Sequence, residues 1–201
     1  ESPGIEGVQL TERVYPHGTL AAHVLGTEGE INDKELPPRK AEGYKAGDTI
    51  GKTGIELTYE ADLRGEPEIA KLEVDSFGRV QRSLGLQPAV QGDDVRLSID
   101  IDIQRLAEES LAQGIDVARK SNEFFSGKPF VASGGSVVVL DPRDGSVLAM
   151  ASNPTYDPNE FVNGISVKRF AELNDPAGFY PLNNRAVQGL YAPGSTFKLA
   201  T

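Results

Sequence analysis

Two continuously apolar runs, Gly135-Ser-Val-Val-Val-Leu140 and Ser146-Val-Leu-Ala-Met-Ala-Ser152, flank the turn Asp141-Pro-Arg-Asp-Gly145. No other stretch constrains the fold as much. Pro early in the turn and Gly at its end predict a β-hairpin. A strand with one wet face alternates apolar and polar residues, whereas these runs are apolar throughout, so both faces of the hairpin are expected to be covered. That requirement predicts a central antiparallel sheet with helices on both sides, in a chain of the α+β class.

The residues leading into the hairpin fit this layer. Val95, Leu97 and Ile99 alternate with Arg96 and Ser98, which predicts a half-buried strand. Asp100 stands where an N-cap is needed for a long amphipathic helix running to about Asn122. Ile103, Leu106, Ala107, Leu111, Ile115 and Ala118 form its apolar stripe, with Glu108 and Glu109 on the solvated side. Gly114 weakens the middle of this helix by about 1 kcal/mol relative to Ala. Beyond the hairpin, a short helix is expected between Phe161 and Tyr180, and another helical turn between Asn183 and Gly189.

Residues 1–92 have a different texture, rich in Gly, Pro and charge with short apolar runs. Val8-Gln-Leu10 predicts a strand, and Arg13-Val-Tyr-Pro-His-Gly18 a turn punctuated by Pro16 and Gly18. Leu20, Ala21, Val24 and Leu25 recur at helical spacing, with Gly26 as C-cap. The polar residues 27–45, with Pro37-Pro38, are expected to form an exposed loop or short helix. A second helix is expected from Thr53 to Leu63, with Ile55, Tyr59 and Leu63 on one face. Ile69 to Val74 alternates and predicts a strand, and Phe77-Gly-Arg-Val80 turns into another. The change in texture divides the chain into a β-rich unit over 1–92 and a second unit over 93–201.

Several functions are excluded by composition or context. A net charge of −10 argues against nucleic acid or an anionic membrane surface as the main partner. The absence of cysteine excludes disulfides, thiolate chemistry and Cys-based zinc sites. No run of 18 apolar residues is available to span a membrane, and no signal peptide is visible. His17 and His23 lack a second pair at metal spacing and read as structural or surface residues. Glu56, Glu60, Asp62, Glu66 and Glu68 lack the Asp-x-Asp-x-Asp-Gly calcium loop and read as a solvated charged face. Ala46-x-x-x-x-Gly51-Lys52-Thr53 fits a relaxed phosphate-loop pattern. Such a loop must follow a buried strand, and Arg39-Lys-Ala-Glu-Gly-Tyr-Lys45 is too polar to be one, so nucleotide binding is not expected.

The chemistry concentrates at Tyr191-Ala-Pro-Gly-Ser-Thr-Phe-Lys-Leu-Ala-Thr201. A Pro193-Gly194 turn precedes a helix expected to open at Ser195. Three residues separate Ser195 from Lys198, so a helix sets both on one face with Cβ atoms roughly 5–6 Å apart. A hydroxyl is a poor nucleophile until a nearby base takes its proton, and an uncharged amine can do so. Free N–H groups at a helix N-terminus, with its partial positive charge, would stabilise an oxyanion forming at the serine. Ser-x-x-Lys is the nucleophile motif of penicillin-binding proteins and related β-lactamases.

Pro193-Gly-Ser-Thr-Phe-Lys198 resembles the active-site hexapeptide of class B penicillin-binding proteins, and the approach Asn184-Arg-Ala-Val-Gln-Gly-Leu-Tyr-Ala-Pro193 is similar to the same family. Arg13-x-Tyr15-Pro16-x-Gly18 resembles the second motif of that family's non-catalytic pedestal domain. Gly54-Ile-Glu56-x-x-Tyr59-Glu60-x-x-Leu63 resembles the third. Asn153-Pro-Thr-Tyr-Asp-Pro-Asn159 resembles the loop after the second strand of its transpeptidase domain. Lys52-Thr53-Gly54 spells the family's third catalytic motif. In the family that motif lies on a strand after the serine, so here it reads as coincidence.

The resemblance runs from about Gly7 to Thr201. It implies an elongation-type class B penicillin-binding protein, with a β-rich pedestal over 1–92 and the first part of a D,D-transpeptidase domain over 93–201. It further implies that Ser195 is the nucleophile toward peptidoglycan stem peptides, that Lys198 is its base, and that β-lactams trap the same serine. The Ser195 amide would be half of the oxyanion hole. No cofactor and no metal are implied. Implied partners are a membrane glycan polymerase and cell-wall scaffold proteins, at the extracytoplasmic face of a bacterial membrane, through an N-terminal anchor absent from this chain.

The family's Arg-Gly…Asp-Arg pedestal motif is missing and expected before Glu1. Its Ser-x-Asn and Lys-Thr-Gly motifs are expected beyond Thr201, so the chain alone is expected to be inactive. Two alternatives stay open: a non-catalytic interaction module of the cell-wall machinery, and a penicillin-recognising sensor or β-lactamase. The pedestal motifs disfavour the second. Finally, Arg13 beside its turn, with Glu56 and Glu60 one helical turn apart, predicts a guanidinium–carboxylate pair joining the two pedestal motifs.

Overall fold

The computed structural model of the chain describes residues 12–124, 126–192 and 198. In chain order its elements are α1 (Ala22–Leu25), β1 (Glu28–Glu30), α2 (Leu36–Arg39), β2 (Thr49–Gly51), α3 (Gly54–Thr58), α4 (Glu60–Leu63), β3 (Ile69–Val74) and β4 (Val80–Gln87). There follow α5 (Ile101–Arg119), β5 (Gly135–Leu140), β6 (Val147–Asn153), α6 (Val167–Leu173) and α7 (Arg185–Gln188). Each strand pairs antiparallel with its sequence neighbour, giving the two-stranded sheets β1–β2, β3–β4 and β5–β6. The strand expected at Val8-Gln-Leu10 lies outside the described residues.

The hairpin β5–β6 forms where the apolar runs required it, with Val138 opposite Met150 and Val137 opposite Ala151. Helix α5 lies on one face. Ala107 packs with the fully buried Ala149 and Ala151, and Ile103, Leu111, Val137 and Val139 close the layer. Side chains alternate along a strand, so Val138 and Leu140 point the other way and remain 45% and 55% exposed. Among the described residues, then, helix α5 covers one face, and the second is covered at its Ser152 end by the start of α7 but open at Val138 and Leu140.

Asp100 caps α5 as expected, its carboxylate accepting the N–H groups of Asp102 and Ile103. The stripe differs from expectation at two positions: Leu106 is 64% exposed, and Gln104 is fully buried. Gln104 is inside because it serves the outer edge of β6. Its Oε1 accepts the Met150 N–H at 2.7 Å, and its Nε2 donates to the Met150 carbonyl at 3.1 Å. The Ser98 hydroxyl donates to Val147 O at 2.7 Å, and the Asp100 N–H donates to Leu148 O at 2.9 Å. Val95, Leu97 and Ile99 are half-buried and Arg96 and Ser98 exposed, as the alternation implied, yet residues 95–99 form no strand ladder. They run as an extended segment beside β6.

In the first half of the chain, Ile31, Tyr44 and Ile50 form a small core closed by Leu36. Gly26 ends α1 at φ 87°, and Gly54 opens α3 at φ 58°. The two glycines meet backbone to backbone: a Cβ on Gly54 would lie 2.7 Å from the Gly26 nitrogen. The helix expected over Thr53 to Leu63 is two short helices broken at Tyr59 (φ −111°, ψ 25°). Its inward side is also not the expected one. Tyr59 is exposed, while Glu56 and Glu60 are buried, which corrects their reading as part of a solvated face. Asp62, Glu66 and Glu68 are exposed as expected. The β3–β4 hairpin is exposed along its whole length.

A further apolar cluster ties the two halves together. Ala22 of α1 packs with Tyr156, Phe161 and Leu173, and Ile165 and Leu182 lie against them. The core therefore crosses the sequence boundary near residue 92.

Candidate active site

Ser195 lies outside the described residues; Lys198 is described and exposed. What the structure shows in detail is the chain that leads to them. Helix α7 opens at Asn184, whose side chain accepts the Ala186 N–H at 3.1 Å. The next residue, Arg185, is buried at 7% exposure. Its backbone N–H donates to the Ser152 hydroxyl at 3.0 Å, and that hydroxyl donates to the Asn183 carbonyl at 3.2 Å. Ser152 is on β6, so the hairpin fixes the start of α7.

The Arg185 guanidinium turns back over the preceding loop. Nη1 donates to Tyr180 O at 3.3 Å, and Nη2 donates to Phe179 O. Phe179 and Tyr180 are non-glycine residues in the left-handed region, with φ 59° and 53°. The Arg119 guanidinium stands 5.6 Å from the centre of the Phe179 ring.

From the other side, α1 reaches the same loop. The carbonyl of Pro181 can only accept, so the 2.8 Å contact from His23 Nε2 assigns the proton to that nitrogen. Asn184 Nδ2 donates to the His23 carbonyl at 3.3 Å. Burial lowers the His23 pKa below its ordinary value and the Arg185 charge adds to this, against the opposing pull of the Pro181 bond. The Tyr156 ring meets His23 edge-on at 5.1 Å, and its hydroxyl donates to Ala22 O at 3.2 Å. Burial pushes the Tyr156 hydroxyl up to about 12.

A second network holds the turn before α1. The Tyr15 N–H donates to Asn159 Oδ1, and Asn159 Nδ2 donates to Tyr15 O, both at 2.9 Å. The Tyr15 hydroxyl donates to Glu56 Oε1 at 3.1 Å, and Arg13 pairs with the same carboxylate. Burial, then the Glu56 charge, pushes the Tyr15 hydroxyl well above its usual range. Glu60 is engaged separately, accepting from the Tyr44 hydroxyl at 2.8 Å and the Gly51 N–H at 2.7 Å. The expected Arg13 pair is thus with Glu56. Glu108, expected on a solvated face, instead accepts the Ala21 N–H at 2.8 Å and Gln104 Nε2 at 2.7 Å.

Of the two histidines, His17 is exposed and His23 structural, as read from the sequence. Lys52, in the phosphate-loop lookalike, pairs with Glu35 at 2.6 Å. Among the described residues no cluster of three His, Asp or Glu could hold a metal, and no helix is long and apolar enough to cross a membrane. The residues that sequence reasoning left without a role are Arg185, Ser152, Asn159 and Tyr15. A signal existed for one of them: Arg185 is the single charged residue between Asp175 and Lys198.

Comparison with known proteins agrees with this arrangement. A family model described as "Penicillin-binding Protein dimerisation domain" matches residues 1–97, and one described as "Penicillin binding protein transpeptidase domain" matches residues 135–201. The peptidoglycan D,D-transpeptidase MrdA of Acinetobacter baumannii is 40% identical over 98% of this chain and 26% of its own length. The Helicobacter pylori penicillin-binding protein PBP2, solved in complex with MreC, matches with a TM-score of 0.69 at 29% identity, over 94% of this chain and 31% of that one. A chain from a structure titled "Structural coordination of polymerization and crosslinking by a peptidoglycan synthase complex" matches with a TM-score of 0.71 at 37% identity, covering 94% and 32%. The chain therefore spans about a quarter to a third of the length of these relatives. With both pedestal motifs folded into one network, and both family models in the expected order, this chain belongs to the class B penicillin-binding proteins of the elongation type.

Proposed function

We propose that the protein to which this chain belongs is a peptidoglycan D,D-transpeptidase, with Ser195 as nucleophile and Lys198 as general base. The observation that carries the reading is Pro193-Gly-Ser-Thr-Phe-Lys198, within the transpeptidase match over 135–201 and downstream of a folded pedestal. The Ser195 hydroxyl adds to the penultimate D-alanine carbonyl of a stem peptide. The Oγ–C bond forms, the amide C–N bond breaks, and the hydroxyl proton passes by way of Lys198 to the departing D-alanine nitrogen. The amine of a neighbouring stem then takes the acyl group, releasing the serine. A β-lactam enters by the same addition, its ring nitrogen taking the proton.

The two units are residues 1–92 and 93–201. Helix α5 belongs with the second, because its apolar stripe packs on β5–β6. The first is an interaction surface toward a membrane glycan polymerase and cell-wall scaffold proteins. Support for that part comes from the relatives solved with MreC and in a peptidoglycan synthase complex. The site of action is the extracytoplasmic face of a bacterial membrane, held by an N-terminal anchor.

The test is intact-mass analysis of the full-length protein after incubation with a β-lactam. Full-length protein should gain one adduct, and Ser195→Ala none. Adduct on Ser195→Ala at the wild-type rate would remove Ser195 from the role.

A further inference from the structure

We propose that Arg185 is a positioning residue for the acyl transfer at Ser195; the inference rests on the transpeptidase reading above. A buried guanidinium normally has a carboxylate partner. Among the described residues none stands within 4.0 Å of Arg185. Its donors go instead to the carbonyls of Phe179 and Tyr180, the two consecutive left-handed residues. Non-glycine residues persist in that conformation only where their surroundings over-determine it. The surroundings here are specific to the loop: Arg185 and His23 together take the carbonyls of three consecutive residues, 179 to 181.

Room for this arrangement is built in. Gly134 lies beside the guanidinium, and a Cβ there would come within 2.7 Å of Arg185 Nε. The backbone of the same residue is anchored to Ser152 on β6. Arg185 therefore joins three things at one point: the sheet, the strained loop, and the first turn of α7. Ser195 follows ten residues later, at the end of the same run of chain. Without the guanidinium, the loop carbonyls are free to relax, and the start of α7 is left to its Ser152 and His23 hydrogen bonds alone. An error of about 1 Å in the approach of a nucleophile can lower a rate on the order of 10²-fold.

The experiment is acylation of the full-length protein by a fluorescent penicillin, comparing wild type, Arg185→Ala, Arg185→Lys and Ser195→Ala. Each rate is taken only over the fraction that labels at saturation, and is separated into reversible binding and the acylation step. Arg185→Ala should keep the binding constant and lose about 100-fold in the acylation step. Arg185→Lys should recover little, because a compact ammonium lacks the planar fork that sets two separate nitrogens on the two carbonyls. It also provides the readout if Arg185→Ala does not fold. Millimolar guanidinium should restore acylation to Arg185→Ala and not to Ser195→Ala. An unchanged acylation step in the labelled fraction of either Arg185 variant, with only a smaller fraction or a lower melting temperature, overturns the proposal and leaves the transpeptidase reading intact. A wild-type protein that takes no label overturns both.

Discussion

Arg13 meets Glu56 across two segments that lie 43 residues apart in the chain: Nη2 donates to Oε2 at 3.1 Å, and Nε stands 3.1 Å from Oε1. Nε lies inside and forms no aligned hydrogen bond, so the pair is one hydrogen bond plus a Coulombic contact. Tyr15 supplies the second donor to the same carboxylate. Glu56 is the better buried partner, at 10% side-chain exposure against 38% for Arg13.

Glu56→Ala should therefore destabilise the fold by about 2 kcal/mol, between the ~1 kcal/mol of an exposed pair and the 3–5 kcal/mol of a buried one. Arg13→Ala should cost less, since the more exposed side chain is lost and Tyr15 still serves the carboxylate. Urea unfolding of the two variants checks the order. An Arg13→Ala loss equal to or above that of Glu56→Ala would contradict it.

Gly26 and Gly54 make a second joint between the same segments. A Cβ on Gly26 would sit 1.9 Å from Thr53 O, at a φ of 87° that suits glycine. Gly26→Ala combines left-handed strain with overpacking, each of order 1–3 kcal/mol, and should cost about 3 kcal/mol. The measured shift in melting temperature should greatly exceed that of Gly43→Ala. Gly43 also has positive φ but nothing within 4 Å.

These joints mark where the sequence was readable. The hairpin, the Asp100 cap and the Arg13–Glu56 pair follow from local rules: apolar runs, cap chemistry, a motif placed beside a helix. Glu56, Glu60 and Glu108 were misread, and Gln104 was left without a role, for a common reason. A polar side chain inside a fold is explained by its partner, and the partners of these four are Tyr15, the Gly51 N–H, the Ala21 N–H and Met150, all distant in sequence or on another element. Leu106 shows the converse: helical spacing places it near the stripe, but Gln104 takes the inward position. Arg185 had a sequence signal, a lone charge in a long uncharged stretch, yet its role depends on the backbone conformation of Phe179 and Tyr180, which no side-chain pattern encodes.

Acid should loosen the contact between α1 and the loop before α7. His23 has a folded pKa below its ordinary value of 6.5. The stability contributed by its neutral form is thus fully present above about pH 6.5 and is lost as pH falls through the lowered value. The groups facing it are the Arg185 cation, the Pro181 carbonyl and the Tyr156 ring, and none of them offers a carboxylate to stabilise the imidazolium. Unfolding free energy measured from pH 7.5 down to pH 5 should fall, with this residue contributing no more than about 1.4 kcal/mol per pH unit. His23→Gln should flatten that part of the profile; an unchanged slope would exclude His23 as its source.

Gln104→Leu should cost about 3 kcal/mol. The substitution keeps the volume but strips partners from the Met150 N–H and C=O, each worth roughly 1–3 kcal/mol when left unsatisfied inside a protein. Hydrogen exchange should report the loss locally, with the Met150 amide becoming the fastest-exchanging in β6. Equal protection in both proteins would mean that the side chain is not the partner that matters.

Ser98, Asp100 and Gln104 together occupy the outer edge of β6 with one hydroxyl, one amide and one carboxamide, where another strand would otherwise dock. The hairpin is left with two unlike margins. Among the described residues, the β6 edge is taken at Val147, Leu148 and Met150, so a further strand is favoured beside Gly135–Leu140 of β5, where Val138 and Leu140 stand bare. The α5 segment thus gives the sheet a direction of growth. It also confines any edge-to-edge self-association of this chain's hairpin to a single front.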